Sequence, residues 1–136
     1  MSGDHNIDSK FDEQSSIART SELLSAVKVH IQSGDLGEAQ NLLESLLKDH
    51  PNNSEALYFS AVTQRLIKNY DGALSWLTRL LDIEPYYGRG WQEQGHVYME
   101  LNNLSEARRA FQRAVSHNSS LIASWQMLMS LIDPAV

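Results

Sequence analysis

The chain has 136 residues, of which 42% are hydrophobic and 21% charged, as expected of one domain with an apolar core. Its net charge of −6 disfavours nucleic acid and anionic membranes as partners, and the absence of cysteine excludes disulfides and thiolate metal sites. The opening residues, MSGDHNIDSKFDEQSS, contain no basic run followed by an apolar core, so no secretory signal is predicted. No apolar run approaches the length of a membrane span. These features together predict a cytoplasmic protein.

Residues 1–19 are predicted to form a disordered or loosely docked polar tail. Ile7, Phe11 and Ile17 are too scattered along this segment to form an apolar stripe. A segment that buries little apolar surface does not offset the entropy lost on ordering. We therefore expect the folded domain to comprise residues 20–136.

A first pair of helices is predicted over residues 20–53. Leu23, Val27 and His30 recur at helical spacing and form the inner face of the first helix, which stops at a Ser-Gly pair. The second helix carries several leucines inward and ends before Pro51. Val27 is larger than the small residue that close helix packing prefers, so this pair is expected to pack less tightly.

A second pair is predicted over residues 54–87. Leu57 and Ala61 lie on the inner face of its first helix, and the sequence Asn-Tyr-Asp-Gly supplies the turn. Leu77 lies on the inner face of the second helix, which ends before Pro85. The pattern is therefore that of another helical hairpin.

A third pair is predicted over residues 88–121. Trp91, Gly95 and Tyr98 fall four and three residues apart, so one helical face carries two aromatic side chains around a glycine. We expect Trp91 to be buried. In the second helix, Phe111 lies between two alanines on one stripe. Small residues let two helix backbones approach closely, and the large ones fill the space between them.

A single final helix is predicted over residues 122–132, halted by an Asp-Pro pair. It is apolar on most sides, and large bare apolar patches are uncommon on monomers. Two explanations stay open: the natural chain continues, or a second copy covers the helix. The candidate residues for self-association are Met127, Met129 and Ile132.

These segments repeat with a fixed period. Equivalent residues recur every 34 positions: Ala39, Ala73 and Ala107; Leu43, Leu77 and Phe111; and Leu23, Leu57, Trp91 and Trp125. The pattern resembles the tetratricopeptide repeat, a helix–turn–helix unit of the same length. The resemblance implies an all-α fold, a right-handed α-solenoid of three helix–turn–helix repeats plus a final single helix.

The resemblance also implies a function, because the first helices of stacked repeats line a concave groove. We expect a non-catalytic scaffold that binds an extended peptide or a partner protein there, through aromatic, cationic and amide side chains. A homodimer formed through the last helix is the alternative. The candidate groove residues are Lys28, Tyr58, Val62, Arg65, Arg89, Gln92, His96 and Gln126.

One subtype of the family is disfavoured. Repeats that hold chaperone carboxyl termini share a clamp of Lys, Asn and Arg side chains. The matching positions here are Leu24, Lys28, Phe59, Arg89 and Glu93, of which only Arg89 is compatible. A carboxylate at Glu93 would repel a terminal carboxylate.

A second resemblance concerns the stretch from Arg89 to Leu128, which is similar to repeats that precede a sulfotransferase domain in some bacterial proteins. It implies that the chain is the non-catalytic amino-terminal part of a larger enzyme. No phosphosulfate-binding loop occurs in the sequence itself.

Chemistry within the chain is not indicated. None of the five histidines forms a pair four residues apart, so neither a metal nor a cofactor is expected. No nucleophile motif with an evident base is present. Arg108, Arg109 and Arg113 form a short basic cluster, but Glu106 lies within one turn of Arg109. We interpret this cluster as a solvated helix face rather than a nucleic-acid site.

Overall fold

The computed structural model describes the backbone of residues 2–132 and the side chains of residue 10 and residues 12–132. This part of the chain holds seven α-helices and no strand, which confirms the predicted all-α fold of three helical hairpins and a final helix. The chain divides into two compact units, residues 1–51 and residues 52–136, and each is described by itself.

Unit 1 is one helical hairpin. Helix α1 (Ser2–Gln32) packs against α2 (Leu36–Asp49). Val27 is fully buried, as are Leu43 and Leu46 of α2 to within a few per cent. The larger residue at position 27 is therefore accommodated within the core rather than excluded from it.

Helix α1 begins at Ser2, within the segment for which a disordered or loosely docked tail is predicted. No glycine or proline interrupts the chain between Lys10 and Gln32. The part of α1 that packs against α2 can therefore continue toward the amino terminus, because each residue added to a helix gains one backbone hydrogen bond. The carboxyl-terminal end of α2 also gives this segment a surface to contact. The Ser16 hydroxyl lies 3.4 Å from Nε2 of His50, the residue that caps α2.

Unit 2 contains the other five helices in chain order: α3 (Ser54–Leu66), α4 (Tyr70–Ile83), α5 (Gly88–Glu100), α6 (Leu104–His117) and α7 (Ile122–Ser130). Apolar residues at helical spacing meet in its core. Those that are fully buried include Leu57, Ala61, Ala73, Leu77, Leu80, Val97, Ala107, Phe111 and Ala114. The periodic positions identified in the sequence thus form the interior of this unit.

The turn within each hairpin has the same backbone conformation in all three cases. Gly34, Lys68 and Asn102 lie 34 residues apart and adopt φ of 80°, 67° and 59°. In each turn the next amide donates to a carbonyl five residues back, at 2.8, 2.8 and 2.9 Å, which is the Schellman arrangement. Lysine and asparagine therefore occupy a left-handed conformation that glycine adopts at less cost.

Helices α5 and α6 approach each other closely at Gly95. A Cβ atom built there would lie 2.6 Å from the Phe111 ring, which is itself fully buried. Such a contact is far inside van der Waals range. The glycine predicted to allow close packing of α5 and α6 does so.

The predicted burial of Trp91 is only partly correct. Its side chain is half-buried, and its indole N–H donates to the Pro85 carbonyl at 2.8 Å. Trp125, one repeat later, donates in the same way to the Ser119 carbonyl at 2.9 Å. The indole N–H needs a hydrogen-bond partner, and both rings lie over the loop that precedes their helix, where a carbonyl is available.

The first helices of unit 2 lie closer to one another than the second helices do. Helix α3 contacts α5 and α5 contacts α7, whereas α4 and α6, both described in full, approach nowhere to within 8 Å between Cα atoms. A row of helices that is tighter on one side is concave on that side. Side chains of α3 and α5 on this side form the candidate site.

Candidate functional site

The centre of the site is an ion pair between α3 and α5. Nε of Arg65 donates to the Glu93 carboxylate, which is almost completely buried. A second carboxylate, that of Glu100, lies 3.6 Å from the guanidinium of Arg65. Arg65 is thus paired with two acidic side chains of its own unit.

Burial and charge oppose each other at this pair. Burial raises the pKa of Glu93, although Arg65 and Arg89 both act to lower it. Burial is the largest single effect and would lower the pKa of Arg65, but the hydrogen bond to Glu93 and the charges of Glu93 and Glu100 together outweigh it, so the pKa is raised. Arg65 therefore stays cationic and fixed in place, while Glu93 is a costly buried carboxylate that depends on it.

A second cation, Arg89, stacks on aromatic rings. Its guanidinium carbon lies 4.3 Å from the centroid of the Tyr58 ring and 6.0 Å from that of Phe59. The Tyr58 ring in turn lies 6.0 Å from the Tyr87 ring. Among the described residues no carboxylate lies within 4 Å of the Arg89 guanidinium. The stacked face is held by cation–π attraction, and one of the five N–H donors at the edges of the guanidinium serves the Tyr58 side chain.

Both tyrosines beside Arg89 are neutral donors. Burial, with a contribution from Glu93, raises the pKa of Tyr58. Burial raises the pKa of Tyr87 to about 12. Their hydroxyl groups therefore remain protonated at physiological pH and can donate hydrogen bonds.

Two further candidates from α5 are packed within unit 2. The Ser124 hydroxyl of α7 donates to the Gln92 side-chain carbonyl at 2.7 Å. The His96 ring packs edge-on against Phe111, with centroids 5.3 Å apart. Burial lowers the pKa of His96, and Arg65 lowers it further, so the imidazole is neutral at physiological pH.

The predicted groove residues are only partly brought together. Tyr58 contacts Arg89, and Arg65 acts electrostatically on His96. Val62 is half-buried on α3, and Gln126 is exposed on α7. Lys28 is exposed on α1 and belongs to the other compact unit.

The structural role of Glu93 was not predicted from the sequence. Glu93 was considered only as a residue that would repel a ligand carboxylate, but it is the buried partner that holds Arg65. One signal could have identified this role. Glu93 lies one repeat after Phe59, which is buried, so a charged residue occupies an inner position. Such a residue requires a cation nearby.

The candidate residues for self-association lie on different sides of α7. Met129 and Ile132 are exposed, whereas Met127 is half-buried and faces away from them. Beside the two exposed residues, α6 and α7 enclose an open groove of about 650 Å³. Its lining residues are Arg108, Gln112, Val115, Trp125, Leu128, Met129, Leu131 and Ile132.

Two other kinds of site were searched for over the described residues. No helix there has both the length and the apolar character needed to cross a membrane. No group of three or more acidic or histidine side chains within residues 10 and 12–132 is arranged to hold a metal ion.

Comparison with known proteins agrees with the period and the fold. Two Tetratricopeptide repeat family models match consecutive parts of the chain, residues 24–87 and residues 88–121. A curated relative, the general transcriptional corepressor trfA of Dictyostelium discoideum, is 30% identical over 84 residues. That alignment covers 62% of this chain and only 6% of the relative's length.

Solved structures give the same fold. The chain is similar to the O-GlcNAc transferase of Thermobaculum terrenum, with a TM-score of 0.80 and 21% identity over 85% of this chain and 22% of the other. It is also similar to the first TPR of Spaghetti (RPAP3), solved bound to the HSP90 peptide SRMEEVD. There the TM-score is 0.74 and the identity 16%, over 82% of this chain and 89% of the other. With its 34-residue period and its hairpins, the chain belongs to the tetratricopeptide repeat family.

Proposed function

We propose that this chain is a non-catalytic protein-interaction scaffold that binds an extended peptide, or an extended segment of a partner protein, across α3 and α5. The observation that carries the proposal is Arg89, a cation stacked on Tyr58 that forms no ion pair within 4 Å with a carboxylate of the described residues. The first TPR of Spaghetti (RPAP3), which has the same fold, was solved bound to a peptide, and this supports the proposed use of the fold.

Arg89, rather than Arg65, is the cation that meets the ligand. The charge of Arg65 is already balanced by Glu93 and Glu100, so Arg65 attracts a ligand carboxylate less strongly. The stacked guanidinium of Arg89 has no carboxylate of the described residues within 4 Å. Its orientation is fixed by the Tyr58 ring, so less entropy is lost when it forms two parallel bonds to a carboxylate. The ligand is therefore expected to carry an acidic side chain.

Neutral groups beside Arg89 suit the backbone of an extended ligand. The imidazole of His96 is neutral, so it offers one donor and one acceptor nitrogen. Gln126 contributes an exposed amide that can both donate and accept, and Gln92 contributes its amide N–H donors, since its carbonyl already accepts from Ser124. Residues in an extended chain present carbonyl and amide groups to either side, which these side chains can pair with in a sequence-independent way.

The proposal can be tested by selection from a phage-displayed library of random linear peptides. The enriched peptides are expected to share an acidic residue, and Arg89→Ala should weaken their binding about tenfold, which corresponds to about 1.4 kcal/mol. Fluorescence anisotropy with a labelled selected peptide gives the dissociation constant.

Arg79→Ala is the matched control. Arg79 is also an arginine placed over an aromatic ring, that of Trp76 at 5.6 Å, but it lies on the second helix α4. This variant should bind the selected peptide as the wild type does. Equal binding by Arg89→Ala, or equal loss in both variants, would contradict the proposed site.

Several sequence-based expectations stay predictions. These are the cytoplasmic location, the absence of nucleic-acid and membrane partners, and the likeness to sulfotransferase-linked repeats. The last would make the chain a regulatory part of an enzyme. A peptide-binding scaffold is compatible with either a free chain or such a larger protein.

A further inference from the structure

Helix α7 carries an apolar stripe on its outer side. Four residues spaced three, four and three apart are exposed by 70%, 46%, 70% and 67%: Ile122, Trp125 and Met129 of α7, and Ile132, two residues after the last residue of that helix. This spacing places them along one side of a helix, as in the seam of a coiled coil. We refer to these four residues as the α7 stripe.

The repeat register shows that the α7 stripe is a helix-packing face. One repeat earlier, the equivalent positions of Ile122 and Met129 are Gly88 and Gly95, both buried. There the glycines leave room for α6 to pack against α5, and the ring of Phe111 fills the space next to Gly95. In α7 large side chains replace both glycines. A helix that packs on this face must therefore present a different residue opposite Met129 from the phenylalanine that faces Gly95.

The α7 stripe is symmetric about its own centre. Ile122 and Ile132 lie five residues on either side of position 127, and Trp125 and Met129 lie two residues on either side. If a second copy of the helix is laid antiparallel across the first, isoleucine meets isoleucine and tryptophan meets methionine throughout. A two-fold axis produces such a pairing without any further adjustment.

We propose that the α7 stripe is a homodimer interface, in which two copies of α7 pack antiparallel about a two-fold axis near residue 127. Each Trp125 then contacts the partner's Met129, a sulfur–aromatic contact that adds to the burial of apolar surface. The inference goes beyond the proposed peptide-binding function and uses a different face of unit 2.

Charge does not oppose this pairing. Helix α7 contains no charged residue, although the chain as a whole carries a net charge of −6. Arg108 borders the stripe on α6, but its guanidinium donates to the Leu131 carbonyl at the carboxyl-terminal end of α7. There a cation is favoured by the helix dipole. Two copies can therefore approach through α7 without bringing like charges together.

The groove beside the α7 stripe receives the edge of the partner helix. Its floor is formed by Val115 of α6 together with Leu128 and Leu131. A helix of nine residues is only about 13 Å long, so the buried area lies below the roughly 800 Å² per partner of a standard interface. The dimer is accordingly reversible and depends on concentration.

The first test is sedimentation velocity of the full chain over a dilution series. The wild type should show a monomer–dimer equilibrium, and Met129→Glu with Ile132→Glu should be monomeric at every concentration. A monomeric wild type at all concentrations would overturn the proposal. So would a double variant that dimerises as the wild type does.

The matched control replaces two equally exposed apolar residues elsewhere. Ile17 and Val29 of α1 are exposed by 63% and 60%, and Ile17→Glu with Val29→Glu adds the same charge. This control should dimerise with the affinity of the wild type. Loss of the dimer in both double variants would show that net charge, not the α7 stripe, governs association, and would contradict the proposal.

Disulfide cross-linking tests the antiparallel register, because the chain has no native cysteine. A mixture of the Ile122→Cys and Ile132→Cys variants should form a mixed disulfide dimer on mild oxidation. Each variant alone should not, since its two cysteines would lie about 15 Å apart along the helix pair. A dimer that forms readily from Ile122→Cys alone indicates parallel helices and overturns the proposed geometry.

Discussion

The helical hairpins α1–α2 and α5–α6 solve the same packing problem with different residues. Val27 and Gly95 occupy equivalent positions 68 residues apart, and both are fully enclosed. Val27 is larger than Gly95 by three carbon atoms. At the facing position of the second helix the order is reversed, because Leu43 in the first hairpin is smaller than Phe111 in the third. The comparison teaches that the repeat specifies a total volume at this contact and leaves open how two helices divide it.

The largest expected effect comes from removing the larger partner. Phe111→Ala leaves a cavity opposite a residue that has no side chain to fill it. The free energy of unfolding should fall by about 3–5 kcal/mol. Urea denaturation followed by circular dichroism measures it. Leu43→Ala in the first hairpin should cost less, because Val27 still fills part of the space. The reverse order would contradict the volume argument.

The next effect comes from enlarging the smaller partner. Gly95→Ala places a Cβ atom 2.6 Å from a buried ring, so the variant should lose about 1–3 kcal/mol of stability despite its better helix propensity. Gly37→Ala in α2 is the control, since no atom lies within 4 Å of its new Cβ and it should be neutral or slightly stabilising. Equal effects at the two glycines would exclude a steric cause.

A double variant sharpens the same comparison. Gly95→Ala combined with Phe111→Leu copies the pair Ala61 and Leu77 of the second hairpin into the third. The double variant should be more stable than the sum of the two single effects predicts, by about 0.5–3 kcal/mol. If the two single changes in unfolding free energy simply added, residues 95 and 111 would not compete for the same volume in the core.

A smaller effect is expected at the turns, where the hairpins also differ. Lys68 and Gly34 hold the same left-handed conformation, at φ of 67° and 80°. Lys68→Gly should raise the free energy of unfolding by about 0.5–1 kcal/mol, because glycine adopts this conformation without a clash at Cβ. Gly34→Lys should lower it by a similar amount. Thermal denaturation checks both, and a destabilised Lys68→Gly variant would contradict the expectation.

The smallest effect concerns pH. The pKa of His96 is lowered in the folded chain, so the unfolded chain binds more protons there once the pH falls to the ordinary histidine range. The stability that His96 contributes is present above about pH 6.5 and is lost as the pH falls below it. His96→Phe keeps the contact with Phe111 and should flatten this part of the pH profile of the urea midpoint. An unchanged profile would mean that other groups dominate.

The fold was predictable because its signal repeats. One hairpin is ambiguous in isolation, but three copies with alanine and leucine in one register leave few alternatives. The start of α1 was not predictable in this way, because the segment before residue 20 has no counterpart in the later repeats. Its helix depends on continuation from the anchored part of α1 and on the contact of Ser16 with His50.

The candidate site was predictable as a face but not as a set of contacts. The repeat register places Tyr58, Arg65 and Arg89 on first helices. It does not predict which of the two arginines forms an ion pair with a buried carboxylate. That depends on Glu93, which replaces an apolar residue of the previous repeat. Side-chain length and direction decided the pairing, and neither follows from periodicity.

The division of volume within each hairpin has a consequence for how such a chain can gain or lose repeats. Recombination at the turn would join Lys68 to Asn103, where the two turns have similar backbone conformations. The product would combine the first helix of one hairpin with the second helix of the next, and Ala61 would face Phe111. Recombination in the loops between hairpins, near Asn53 and Tyr87, keeps each matched pair intact. The exchange unit that keeps the packing is therefore the hairpin that starts with its first helix, so breakpoints in those loops should cost the least stability.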